Sequence, residues 1–334
     1  MIYRNSYAFV LLFTIFILIS SCDQNSKRSD KVRSIGNTSE ILVVVENEQQ
    51  WENHIGQVIR EYLGRDQYGL NQAEPVFTLA HVSKTSLSDL LKKHRNILIV
   101  EIEKKATDSK IESSVDLWSK PQQIIKITSP SSSDFVTVFE SNAAIFEEKF
   151  SKTERDRILT VFRVSSNKKV IKKMKENFGF KMIIPREFYA AKTESDFMWI
   201  RKEVAKYSQG ILIISEPYQD TAQFSQASII SRIDRNMQKF VPGTVDGSYM
   251  VTSDEYVIPK SVVINDFITD YTIETRGIWE VENDFMGGPF LSYTFLDKRN
   301  NQIITLLGYV YQPNKKKRDL LRQLEAILYS TEFV

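Results

Sequence analysis

The sequence predicts a protein of mixed α+β and α/β class in two domains. A small α/β sheet with helices is expected over 39–165, and an antiparallel sheet covered by helices over 166–334. Three observations lead there. In the first half, short apolar runs of the kind buried on both faces alternate with amphipathic helical stripes. In the second half, hairpin-like strand pairs gather between helices. A length of 334 residues with 42% apolar content is enough for about two cores.

The first domain reads β-α-β-α-β-β-α. A strand at 41–45 leads into a helix on which Trp51, Ile55, Val58, Ile59 and Tyr62 form one stripe, and Gly64 ends it. Residues 75–82 alternate as a strand. Ser86 offers an N-cap to a short helix with Leu87, Leu90, Leu91 and His94 on one face. Strands at 97–102 and 123–128 follow. Residues 131–134 offer an N-cap to a long helix striped with Phe135, Val138, Phe139, Ile145, Phe146 and Phe150. Ser151-Lys-Thr-Glu154 has the form of a capping box, at which a second helix would restart.

In the second domain Asn167 caps a helix with Val170, Ile171, Met174 and Phe178 inward, and Gly179 terminates it. A short strand at 182–185, a hairpin of 188–191 with 197–203 and an apolar strand at 210–215 come next. Phe224, Ala227, Ile230, Ile233, Met237 and Phe240 stripe a helix over 223–240 that Val241-Pro-Gly243 stops. Strands are expected at 257–264 and 271–281, then a hairpin of 289–296 with 302–311. Asn314 caps a last helix carrying Leu320, Leu321, Leu324, Ile327 and Leu328 on one face.

The N-terminus carries a targeting signal. Arg4 precedes an apolar stretch at 8–19, and small residues close it, as in a secretory signal peptide over 1–21. The ending Ile19-Ser20-Ser21-Cys22 resembles a bacterial lipobox, whose Cys becomes the diacylated first residue, with acyl chains of the palmitate kind. Cys22 is the one cysteine of the chain and is the expected lipid attachment site. Acyl chains gain about 0.8 kcal/mol per buried CH₂, so several together anchor a protein stably. Residues 22–38 are polar and without period, the pattern of a lipidated flexible tether. The expectation is a lipoprotein on a membrane of the cell envelope, facing the periplasm.

Several function classes are disfavoured. Lys+Arg total 44 against Asp+Glu 42, so there is no basic footprint for nucleic acid. Glu46-Asn-Glu-Gln follows the first strand in place of a Gly-rich phosphate loop, which argues against nucleotide binding, and no cofactor is expected. A single Cys excludes an intramolecular disulfide and a cysteine-based metal centre, and no D-x-D-x-D-G calcium loop occurs. His54 and His81 read as packing or surface residues, and His94-Arg95 as the close of a helix. Asp246-Gly247-Ser248-Tyr249 lacks the G-x-S-x-G elbow and reads as a turn.

The stretches Glu40-Ile-Leu-Val-Val-Val45, His94-Arg-Asn-Ile-Leu-Ile-Val100, Trp118-Ser-Lys-Pro121, Asp246-Gly-Ser-Tyr-Met250, Asp284-Phe-Met-Gly-Gly-Pro-Phe290 and Arg322-Gln-Leu-Glu-Ala-Ile-Leu-Tyr-Ser330 resemble a family of uncharacterised Bacteroidota lipoproteins, a domain of unknown function. That resemblance implies a lipidated envelope protein and brings no activity. In the C-terminal half, Pro185, the strand ending Glu216-Pro217 and the pattern Leu321, Leu324, Ile327, Leu328, Ser330, Phe333 are similar to PsbP/Mog1-like domains. Those are non-enzymatic binding and assembly modules.

The richest cluster of functional side chains is Arg276, Trp279, Glu280, Glu282 and Asp284, with Gly287 and Gly288 beside them. On a strand, Glu280 and Glu282 would share one face and Trp279 the other. The preferred expectation is a non-catalytic binding loop for an envelope protein or cell-wall partner, since function tends to sit on loops held by a scaffold. The alternative is an envelope hydrolase using a carboxylate pair in the 280–284 region, one acid and one base. The bland assignment makes the acids a solvated strand face, Trp279 a core residue and Gly287-Gly288 a turn with positive φ. Lys315-Lys-Lys-Arg318 opposes the dipole at the start of the last helix, as a solvated helix end or a contact to anionic lipid headgroups.

Overall fold

Two sheets organise the computed structural model, which describes residues 31–334. The expected signal peptide and Cys22 lie outside the described residues. Arg33–Val334 forms one compact unit. Its order starts earlier than the expected tether allows. Ser34 N donates to Lys120 O at 3.1 Å, and Ile35 exchanges backbone hydrogen bonds with Lys93 and Arg95. Gly36, at φ 100°, lies where any Cβ would strike the His94 ring at 2.5 Å, so this segment is fitted onto the sheet rather than free of it.

The first sheet has the order β2-β1-β3-β5-β4. Its strands are β1 (Glu40–Val45), β2 (Thr78–Ser83), β3 (Asn96–Ile102), β4 (Lys110–Val115) and β5 (Gln123–Ser129). All neighbours run parallel except β4, which is antiparallel to β5. Helices α1 (Glu48–Glu52), α2 (His54–Leu63) and α3 (Ser132–Val164) pack against Ile41, Val43 and Val45. The other face of the sheet carries a smaller cluster, in which Val44, Ile97 and Ile124 are buried and Val82, Leu87, Ile99 and Trp118 pack against them. The helix expected after Ser86 is absent: residues 84–86 and 91–93 make short 3-10 turns.

Helix α3 runs unbroken for 33 residues. Phe135, Phe139, Phe146 and Phe150 are fully buried on the first sheet, each worth about 1.5–3 kcal/mol of burial, while Ile145 points outward. The expected restart at Ser151 does not occur, because Glu154 is not a capping acid. It is buried and accepts from Asn96 Nδ2 at 2.7 Å and Arg157 Nη1 at 2.5 Å. That network clamps the back half of α3 to the start of β3, the central strand of the sheet.

The second half forms an eight-stranded antiparallel sheet, covered by helices on both faces. Its strands are β7 (Tyr189–Thr193), β8 (Phe197–Val204), β9 (Tyr207–Pro217), β10 (Met250–Ser253), β11 (Lys260–Ile264), β12 (Thr272–Val281), β13 (Gly287–Asp297) and β14 (Gln302–Tyr311). The order is β10-β12-β13-β14-β9-β8-β7, with β11 also on β12. Helices α4 (Lys168–Phe178) and α6 (Arg318–Tyr329) cover one face, and α5 (Gln226–Phe240) the other. The short strand expected at 182–185 is displaced: β6 (Phe180–Lys181) pairs instead with β15 (Glu332–Phe333).

The start of α6 corrects the expected Asn314 cap. Asn314 takes φ 55° outside the helix, and Lys317 is the N-cap. The orphan amides at the helix start are served from a distance: Lys317 N donates to Glu74 Oε1 at 2.6 Å and Arg318 N to Glu74 Oε2 at 3.2 Å. Glu74 is buried, and its charge suits the positive end of the helix. The basic run is accordingly a solvated helix end only at Lys315 and Lys316, which are exposed. Lys317 and Arg318 are buried, and Arg318 Nη1 donates to Pro75 O at 2.8 Å.

Candidate functional site

The residues singled out around 276–288 do not form one site. Side chains alternate along β12, so Arg276 lies on the face shared with α6 and Trp279 on the face shared with α5. Trp279 is a core residue, donating from Nε1 to Val310 O at 3.2 Å. Gly287 and Gly288 are strand residues of β13, not a positive-φ turn. Gly288 is needed for close approach: a Cβ there would stand 2.1 Å from Val310 O. The left-handed residue of the β12–β13 turn is Asn283, at φ 63°. Glu280 lies within the strand, one residue before its end at Val281, whereas Glu282 and Asp284 belong to the turn, so the two glutamates do not share a strand face. Asp284 builds that turn by accepting from Thr244 Oγ1 at 2.6 Å and Phe285 N at 2.7 Å.

Two of the three histidines, His81 and His94, have carboxylate partners that their sequence neighbours did not reveal. His94 is buried between Asn96 O at 2.9 Å and Glu40 Oε1 at 2.6 Å. Burial raises Glu40, but hydrogen bonds from His94 and Asn37 outweigh it and hold the carboxyl below its usual value. His81 stacks on Trp51 at 4.5 Å and meets Glu48 at 3.0 Å. His54 is exposed. Ser248 donates to Val245 O at 2.5 Å inside its turn. Among the described residues no group of three or more His, Cys, Asp or Glu could hold a metal ion.

Arg276 instead joins a cleft of about 570 Å³ between α3, α6, β12 and the β11 segment. Each element contributes by its own period. On α3, Glu147, Glu148, Ser151 and Arg155 share one helical face; on α6, Arg322, Glu325 and Tyr329 stand at i, i+3 and i+7. On β12, Glu274 and Arg276 are two apart. Asp266 closes the mouth from the β11–β12 loop.

The charges form a connected network. Arg155 donates to Glu325 Oε1 at 3.2 Å and Glu148 Oε1 at 2.5 Å, and its guanidinium lies 3.8 Å above the Tyr329 ring. Arg276 grips Glu274 with two hydrogen bonds of 2.7 and 3.1 Å and lies 3.5 Å from Glu325 Oε2. Tyr293 donates to Glu274 Oε2 at 3.0 Å. At the rim Arg65 pairs with Glu147 at 2.7 Å.

Environment splits the carboxylates. Burial pushes Glu148 up to about 7, aided by Asp266 and Glu325 and opposed by Arg155. Burial would also raise Glu325, but the guanidiniums of Arg276, Arg155 and Arg322 hold it below its ordinary value. Burial lowers Arg276, and Glu274 and Glu325 more than reverse this, so it stays charged. Burial raises Tyr329 strongly. A cleft lined by such shifted groups is where ligand or proton chemistry is expected.

Arg322 differs from its neighbours. It is 4% exposed and sits 4.8 Å over the Phe77 ring. Nη2 donates to Val76 O at 3.2 Å, and Nη1 has no partner. Burial lowers this guanidinium, and Glu325 only partly offsets it. Sequence reasoning missed the site because its residues span from Arg65 to Tyr329 and each resembles a solvated charge alone. The one local signal was on α6, where charges at i and i+3 adjoin the Leu stripe of a helix buried on two sides.

Comparison with known proteins follows the same division of the chain. Residues 166–330 match the family model Domain of unknown function (DUF4837), and residues 34–163 match Domain of unknown function (DUF8532). No curated protein matches the chain. Among solved structures it is similar to the Human StarD13 (DLC2) lipid transfer and protein localization domain, at 11% identity over 48% of this chain and 94% of that one, with a TM-score of 0.22. A likeness of that size carries no argument. Two domains of unknown function thus cover residues 34–163 and 166–330, consistent with an uncharacterised family.

Proposed function

We propose that the chain is a lipid-anchored, non-catalytic binding module of the cell envelope that receives a small polar ligand in the cleft between α3, α6 and β12. The observation that carries this is the cleft itself. Its volume of about 570 Å³ falls in the range of small-molecule sites, and guanidiniums and carboxylates converge on it. Buried ion networks stabilise little compared with apolar packing of the same volume, so a fold that keeps one beside a cleft has a use for it. The anchor rests on the lipobox-like ending at Cys22 and on the resemblance to Bacteroidota lipoproteins. The PsbP/Mog1-like pattern of the C-terminal half supports a binding rather than an enzymatic role.

The test is to purify the full chain from its own membranes and identify by mass spectrometry what it releases on denaturation. Ala144 lines the cleft from α3, and Ala144→Trp should fill it. A small molecule released by the wild type and missing from A144W supports the proposal. Equal contents, or none from either, overturn it. Cys22→Ser should move the protein from the membrane to the soluble fraction, and retention on the membrane would refute the anchor.

A second assignment is favoured by Phe285, which stands fully exposed at the β12–β13 turn. There a protein partner would be held through an apolar contact. Phe285→Ser should abolish its crosslinking without affecting the cleft. The hydrolase alternative has less support. Of its carboxylates, Glu280 sits on β12, and Glu282 and Asp284 sit in the turn that Asp284 is occupied in holding.

A further inference from the structure

Resting on the cleft as a binding site, we infer that its ligand is a zwitterion, with an anionic carboxylate or phosphate group held at Arg322 and an ammonium group held at Glu148 and Asp266. Apart from Lys260 and Asp66, exposed lining residues of opposite sign, pairing the charges that line the cleft leaves an asymmetric remainder. Arg276 is satisfied by Glu274, Arg65 by Glu147, and Arg155 by Glu325. Among the described residues Arg322 has no carboxylate within ion-pairing distance and one nitrogen without an acceptor, although it is almost wholly buried. A buried guanidinium donor without an acceptor costs free energy, which an anion would recover through charge-assisted hydrogen bonds.

The opposite sign remains at the mouth. Glu148 and Asp266 are 42% and 37% exposed, and both approach one cation, Arg155, at 2.5 and 4.0 Å. Arg155 is already shared with Glu325, so two outer carboxylates divide what is left of one positive charge. Deep positive and outer negative poles within one cleft select a ligand carrying both charges. A simple anion would meet Glu148 and Asp266 on its way in, and a simple cation would leave Arg322 unanswered. The acidic mouth alone would fit any cation; the orphaned Arg322 donor makes the ligand dipolar.

Two sources offer this chemistry, a peptide or amino acid and a phosphoethanolamine headgroup. Isothermal titration of the full chain separates them, with glycylglycine and phosphoethanolamine as the whole ligands and acetate, inorganic phosphate and ethylamine as their halves. At least one zwitterion should bind about tenfold or more tightly than either of its halves. Arg322→Gln and Glu148→Gln should each weaken it by a similar factor. Glu148 is partly exposed and bonded only to Arg155, so E148Q decides the matter if R322Q fails to fold. Halves that bind as well as the whole, or affinities unmoved by E148Q, overturn the zwitterion while leaving a binding cleft in place. Heat from none of the probes overturns the zwitterion, and the cleft then stands or falls on what the wild type releases and A144W does not.

Discussion

Glu74→Gln tests how the two halves of the chain are joined. Glu74 precedes β2, yet its carboxylate receives the first amides of α6, 243 and 244 positions later. The amide keeps one acceptor oxygen but turns an NH₂ toward a backbone N–H and removes the charge. A hydrogen bond to a charged acceptor contributes about 1.5–3 kcal/mol, more than the same bond to a neutral one. The helix dipole adds about 0.3–2 kcal/mol when a carboxylate at the N-terminus is lost. The amide recovers part of this, so the expected loss is about 2–3 kcal/mol, or about 4 °C in Tm at roughly 2.1 cal/mol/K per residue. Urea unfolding followed by tryptophan fluorescence suits the question. Trp51 and Trp118 report on the first sheet, and Trp199 and Trp279 on the second. A loss below about 0.5 kcal/mol, the scale of an ordinary surface change, would refute the assignment of Glu74 as the cap of α6.

Other outcomes follow from the same geometry. Glu325→Gln leaves two buried guanidiniums short of a partner and should cost about 3 kcal/mol, less than the full price of a broken buried pair because Arg276 keeps Glu274 and Arg155 keeps Glu148. A neutral result in urea unfolding would sink the network. Trp279→Ala should cost about 3–5 kcal/mol by opening the core under α5, and a protein of unchanged stability would place Trp279 at the surface. Glu148 supplies a pH signature. Its folded value near 7 lies above its ordinary 4.5, so the folded state holds more protons across that window. The stability of the wild type relative to Glu148→Gln should therefore fall as pH rises from about 4.5 to 7 and level off above it. A difference that rises or stays flat contradicts the raised carboxyl.

Much of the fold was legible in the residues, and the reasons for the gaps are physical. Strands such as β1 and β3 are continuous apolar runs, and helices such as α5 carry an apolar stripe at helical spacing, so periodicity exposed them. β4 reads Lys-Ile-Glu-Ser-Ser-Val, a polar edge strand that local pattern cannot tell from a loop. The residues around Ser86 have helical spacing, but the turns there remain 3-10 and lie over a face of the sheet with few apolar partners. Ser151 and Glu154 matched a capping box because a tertiary acceptor and a capping acid look alike in one dimension. The cleft was illegible for the same reason on a larger scale. Arg155, Glu148, Glu325 and Arg322 each resemble solvated helix charges, and only packing α3 against α6 turns them into a site. Arg276 belonged to the expected cluster, but the alternation of β12 sends it away from Trp279 and into the cleft.

The most direct test is the nitrogen-15 guanidinium spectrum of the full chain, recorded before and after adding the molecule that the wild type releases. The cleft predicts that the Arg322 Nη1 resonances shift and exchange more slowly once an acceptor arrives. Arg276, already held by Glu274, should barely move. Saturation with that molecule while Arg322 stays unchanged would place the ligand elsewhere and contradict the cleft as the binding site.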